Sequence, residues 1–227
     1  MKAACRTHPA FRAAEQALSR GESVQVGGLW GASTALFLAS LRPPASLLAL
    51  SPSEDAAADL LDALLAFGCP ATAYRESPTR LLALRSLSEK GIVVAAAAAL
   101  EIPVPSPETL TASTLRLRVG DALDAQDLLK RLNDAGLERV QSVEAPGEFA
   151  RHGGILDIHP PSEPLPFRIE WEGERIASLR TFDRATQRSG ETQEEAALLL
   201  LSGKDAERGS LLDHLPPDAW IAFSDPA

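Results

Sequence analysis

Three short runs late in the chain, Gly154–His159, Phe167–Trp171 and Ile176–Phe182, alternate apolar and polar residues at period 2 and are bounded by proline- or glycine-bearing turns. The pattern predicts an antiparallel meander with one face on a core and the other in solvent. The solvent-side positions then include Arg151, His152, Arg168, Glu170 and Glu172, a dense set of side chains suited to recognition. The first half has a different rhythm. Amphipathic helices are predicted over Ala10–Ser19, Ser33–Leu41, Ser53–Phe67 and Thr79–Glu89, with short apolar strands at Val24–Gly28, Leu47–Ser51, Thr72–Tyr74 and Ile92–Ala95. Ser53 is a good N-cap with Glu54 and Asp55 in the first turn, and Gly68 is a helix stop. Alternating strands and helices imply a parallel sheet with helices on its faces.

Glu101–Ser113 is rich in proline and polar residues and reads as a linker. Beyond it Thr114–Val119 alternates strictly, Gly120-Asp121 makes a turn, and Asp124 caps a helix that Gly136 ends. After the meander, Glu194–Leu201 reads as helical and Ala219–Phe223 as a short apolar strand able to return to the first sheet. The expected organisation is discontinuous: one domain from residues 1–113 plus 191–227, interrupted by an inserted α+β domain over 114–190.

Composition narrows the classes of function. The 227 residues are 45% hydrophobic and 23% charged, with a net charge of -9. Such an acidic chain lacks the basic footprint that supplies most non-specific affinity for nucleic acid, so exposed arginines point to a protein partner. Cys5 and Cys69 are far apart and read as free thiols of a reducing cytoplasm. The first residues hold no apolar signal core, and the run Ile92–Leu100 is too short to span a bilayer, so no membrane role is expected.

The run RHGGILDIHP, then FRIEW, EGERIASLRTFD and TQRS, comes in an order and spacing that resembles the inserted domain shared by UvrB and the transcription-repair coupling factor Mfd. The resemblance is strongest from about Leu115 to Arg188 and implies a degenerate P-loop NTPase-like α/β domain around the insertion. It also implies that the inserted domain docks UvrA, and that RNA polymerase and DNA are engaged by regions absent from this chain. ATP and Mg²⁺ would belong to downstream motor domains, leaving no cofactor here.

The phosphate loop of UvrB corresponds to GLWGASTA at 28–35. Gly28 and Gly31 fit such a loop, but Ser33 replaces a glycine, Thr34 the phosphate-binding lysine and Ala35 the metal-binding hydroxyl. None of the lysines, Lys2, Lys90, Lys130 and Lys204, is nearby. Between Tyr74, which has no other tyrosine beside it in the chain, and the next strand there is no room for an aromatic DNA-clamping hairpin. These absences weigh against a UvrB-like damage-binding ATPase. A Rossmann-like enzyme is disfavoured by the lack of G-x-G-x-x-G at the first turn.

For UvrA docking, the resemblance carries three positions over. An arginine before the glycine pair corresponds to His152, with Arg151 preceding it; a second corresponds to Arg168; an aromatic corresponds to Glu172, with Trp171 beside it. Arg151 and Trp171 are expected to compensate by a shift of one place. Arg168 could instead be a cross-strand ion-pair partner, and Trp171 could be core. Asp157 and His159 share a strand face, but no further cysteine or histidine joins them, so no metal site is expected. Glu148 and Asp157 lack an arguable cleft for acid–base work. The reading is a non-catalytic UvrA-recruiting module of a coupling factor.

Overall fold

The computed structural model describes residues 1–75, 80–201 and 209–224. Helices α1 (Lys2–Thr7), α2 (Pro9–Ser19) and α3 (Ser33–Ser40) precede strand β1 (Leu47–Ser51). Then follow α4 (Glu54–Ala66), β2 (Thr72–Ala73), α5 (Arg80–Ser88), β3 (Ile92–Ala96), α6 (Pro107–Ala112) and β4 (Thr114–Arg118). Helix α7 (Ala125–Asp134) leads into β5 (Glu138–Arg139), β6 (Glu148–His152), β7 (Ile155–Ile158), β8 (Phe167–Glu172) and β9 (Arg175–Phe182). The last strands are β10 (Ser189–Gln193), β11 (Glu195–Leu199) and β12 (Trp220–Phe223).

The chain folds as two compact units, one of Met1–Glu76, Ala83–Pro103 and Ser210–Ala227, the other of Ser77–Leu82 and Val104–Gly209. In the first, a four-stranded sheet runs in the order β12-β1-β3-β2, with every pairing parallel. All five residues of β1 are buried, as expected of a central parallel strand covered on both faces. Ser53 caps α4 by accepting the Ala56 N–H at 3.2 Å. Leu60 and Leu64 of α4 pack with Leu38, Leu47 and Val94 in one core, and the free thiols Cys5 and Cys69 lie against it.

The second unit carries a six-stranded sheet, β10-β9-β8-β7-β6-β5, and a β11-β4 pair. One face of the large sheet packs Phe149, Ile158, Phe167, Ile169 and Leu179 with Leu128 and Leu132 of α7. The opposite face holds a smaller cluster, Val143, Ala150 and Phe182. Among the described residues no helix is long and apolar enough to cross a membrane.

Three local expectations are corrected. Val24–Gly28 is not a strand; residues 22–30 hold no regular structure, because this short apolar run finds no neighbouring strand to pair with. Glu195–Leu199 is strand β11 and not helix, since antiparallel pairing with β4 lets Ala196 and Leu198 alternate into the core. The expected linker contains α6, whose N-cap Ser106 accepts the Thr109 N–H at 3.2 Å, with Pro107 opening the helix.

Candidate docking face

The meander begins one strand earlier than its alternation suggests. Strand β6 pairs with β7 through Arg151↔Leu156 and His152↔Ile155, and Gly153-Gly154 forms the two-residue turn. Gly153 has φ +62° with open space around its missing Cβ, so backbone conformation and not crowding requires glycine there.

Strand parity then divides the predicted site residues. In the register Ala150↔Asp157↔Arg168↔Arg180, these four share the face of Phe182. His152, Glu170 and Glu172 point to the same side. Arg151 and Trp171 point to the other side, where both line a shallow pocket of about 160 Å³ beside Ala125 and Leu129 of α7. The expected compensation by a one-place shift is therefore corrected: Arg151 and Trp171 do not share a surface with Arg168. Trp171 is half-buried against the large core and its indole N–H donates to the Leu123 carbonyl at 2.9 Å. Arg151 donates from Nε to the Gly153 carbonyl at 3.2 Å.

Arg168 was expected on solvent and is largely withdrawn from it. Its side chain is 18% exposed and that of its partner Asp157 is 5% exposed. Nε and Nη2 donate to the two Asp157 carboxylate oxygens, each at 2.7 Å, in a bidentate fork. Nη1 donates to the Gln187 carbonyl at 3.3 Å and the Ser189 hydroxyl at 3.1 Å. The guanidinium also sits 5.1 Å from the Phe182 ring centroid. The Asp157 bond holds the Arg168 pKa above the ordinary arginine value, against the opposing effect of burial. Four of the five N–H groups of this arginine are thus committed within the chain.

These bonds fasten the turn between β9 and β10 over the sheet face. Asp183 accepts the Thr186 N–H and hydroxyl, at 2.7 and 2.9 Å, and its own N–H reaches the Arg188 carbonyl. Those Thr186 bonds lower the Asp183 pKa. Gln187 lies at φ +57° and donates its amide to Val143 and Arg184 carbonyls. The carboxylates of this face are engaged too. Glu170 accepts the Ser178 hydroxyl at 2.9 Å, and Glu148 accepts the N–H groups of Glu144 and Ala145. His152 contacts the Gln141 carbonyl through Nε2 at 3.0 Å. Glu172, at the tip of β8, is exposed.

Sequence reasoning named Asp157 only as a metal or acid–base candidate and missed the Asp183–Ser189 turn. Opposite charges on strands flanking the Pro-rich connection at 159–166 were the available signal. No group of three or more potential metal ligands occurs among the described residues.

In the first unit, the 28–35 stretch runs from an irregular segment into the first residues of α3. Gly28 and Gly31 have φ of +77° and +54°, and the Ser33 hydroxyl donates to the Trp30 carbonyl at 2.8 Å. Thr34 lies within α3, and Ala35 is 1% exposed, its methyl packed in the core.

Comparison with known proteins places the meander in context. Residues 115–200 match the family model described as the UvrB interaction domain. Over 104 residues, 46% of this chain, it is 40% identical to the transcription-repair-coupling factor of Bacillus subtilis (strain 168), covering 9% of that protein. The Staphylococcus haemolyticus (strain JCSC1435) protein of the same description is 32% identical over 54% of the chain, and that of Escherichia coli (strain K12) is 30% identical over 49%; each is covered to 10%. The chain thus spans about a tenth of the length of the curated relatives it matches. Residues 115–200 are accordingly similar to the UvrB interaction domain, in a chain about half of which is similar to transcription-repair-coupling factors.

Proposed function

We propose that the second unit is a non-catalytic docking module that recruits UvrA. In a longer protein of the coupling-factor type it would link stalled RNA polymerase to nucleotide excision repair. The observation that carries this reading is the match of residues 115–200 to the UvrB interaction domain. The face of His152, Arg168 and Glu172 is the docking side in this reading. Contacts with polymerase and DNA belong to parts of such a protein outside this chain. A titration of the chain with purified UvrA tests the reading: a saturable complex is expected, and no binding at tens of micromolar UvrA overturns it.

The first unit, with its parallel sheet, is in this proposal a degenerate NTPase-like scaffold. A Mg–nucleotide site needs a lysine on the β/γ-phosphates and a hydroxyl on the metal. The loop carries no lysine, and Ala35 turns a methyl into the core. Calorimetry with Mg-ATP is therefore expected to show no heat of specific binding, and the chain no turnover above a blank. Micromolar, Mg-dependent binding would return this loop to the nucleotide-binding class.

A further inference from the structure

The docking face has an unequal balance of committed and free charge. Arg168 is locked to Asp157, Glu170 to the Ser178 hydroxyl, Glu148 to two backbone amides, and Asp183 to Thr186. Three arginines are left, with the exposed Glu172 at the tip of β8 as the uncommitted carboxylate of this face. Arg180 lies in register with Arg168 on the same face, and Arg184 and Arg188 stand on the turn fastened above it. All three are exposed, and none has a carboxylate partner among the described residues. Among the described residues their side chains make one hydrogen bond, from Arg184 Nη1 to the Glu144 carbonyl at 3.3 Å, and the Arg184 charge acts on the neighbouring Asp183 without forming an ion pair. A chain of net charge -9 that collects unpaired arginines on one strand and its turn presents a local cationic surface against its overall sign.

We infer that Arg180, Arg184 and Arg188 form the contact edge for an acidic surface of the partner protein, and that Arg168 acts by positioning the turn that carries two of them. The inference rests on the docking reading above and deepens it. Arg168 has one uncommitted N–H, so it cannot offer a partner carboxylate the bidentate fork it already gives Asp157. Arg180 and Arg188 keep their forks free, and Arg184 commits one Nη1 N–H to the Glu144 carbonyl. Arginine in this state is suited to paired carboxylate contacts and to steering an acidic partner, with an association rate that falls as salt rises. An acidic protein surface is favoured over nucleic acid because the chain's net negative charge opposes a polyphosphate along the rest of its surface.

The test compares the intact chain with Arg180→Glu/Arg184→Glu/Arg188→Glu in titrations against UvrA and against duplex DNA, each beside a thermal melt. Arg116→Glu, on β4, is the control. The triple reversal is expected to weaken UvrA binding about tenfold or more. Arg116→Glu should bind as the unaltered chain does, and lysines at the three positions should retain most of the affinity. If the triple variant fails to fold, Arg180→Glu/Arg188→Glu decides on the same criterion, because it removes no hydrogen bond from either side chain. For Arg168 as a positioning residue, Arg168→Lys is expected to weaken binding, and the loss should shrink when the three arginines are already reversed. Full additivity of the two overturns that part. UvrA binding by the unaltered chain that the reversals leave unchanged overturns the arginine edge while the docking reading stands. Failure of the unaltered chain to bind overturns both. Loss of DNA binding with UvrA affinity intact overturns the assignment in favour of nucleic acid.

Discussion

Arg168→Ala is expected to lower the thermal midpoint of the second unit by roughly 12 °C or more, from a loss of about 3 kcal/mol. The substitution leaves Asp157, 5% exposed, without its guanidinium partner. Removing one member of a withdrawn ion pair costs more than the pair itself contributes, because the remaining charge has neither water nor a counter-ion. It also strips the Gln187 carbonyl and Ser189 hydroxyl of their donor and removes the cation from the Phe182 ring. Arg168→Lys keeps a charge but not the fork, and should lose less. The pair Arg168→Met/Asp157→Leu should recover part of the stability lost by Arg168→Ala, since it removes both charges together. A melt of Arg168→Ala within 2 °C of the unaltered protein would show that the fork contributes nothing. This prediction changes how a binding experiment at this position is read. Loss of UvrA affinity on Arg168→Ala would report the collapse of the Asp183–Ser189 turn as well as any direct contact, so affinity needs the melt beside it.

Much of this arrangement was legible in the residues. Ser53 and Asp124 cap the helices they announce, the latter accepting the Gln126 N–H at 2.6 Å. The alternation of Thr114–Arg118 and of the meander gave the strands and their apolar sides. From the sequence Arg151 and His152 are expected together on the solvent side, but strand pairing reaches as far as His152 and so holds the two on opposite faces. What composition could not decide was partnership. Glu195–Leu199 has helix-forming residues, and β4 alone makes it a strand. Val24–Gly28 has strand-like residues and no strand beside it. The Asp157–Arg168 pair needs the register of β7 on β8 across the connection 159–166, which no tight turn sets. The turn at 183–189 depends on contacts to Val143 and Glu144, far away in sequence.

The second unit is also expected to lose stability as pH falls from 6.5 toward 4, by roughly 3 kcal/mol at the end of that window. The group responsible is His159, at the start of the connection between β7 and β8. It is 1% exposed, and its Nε2 lies 3.2 Å from the Glu163 carbonyl. A carbonyl only accepts, so Nε2 carries the proton and Nδ1 is left as a buried acceptor with no partner. Burial pushes its pKa down from 6.5 to about 4, and the positive charge of Arg184 adds to the effect while Glu148 opposes it. The direction follows from which state takes the proton first. In the unfolded chain the imidazole protonates near 6.5; in the folded chain it stays neutral until about 4. Between those values the unfolded state binds more protons, so stability is full above 6.5 and declines as acid is added. Urea midpoints at pH 7, 6 and 5 measure the effect before most carboxylates titrate. His159→Asn keeps an amide donor for the Glu163 carbonyl and removes the titration, so its midpoint should depend less on pH over that range. Parallel pH profiles for the two proteins would remove His159 as the cause.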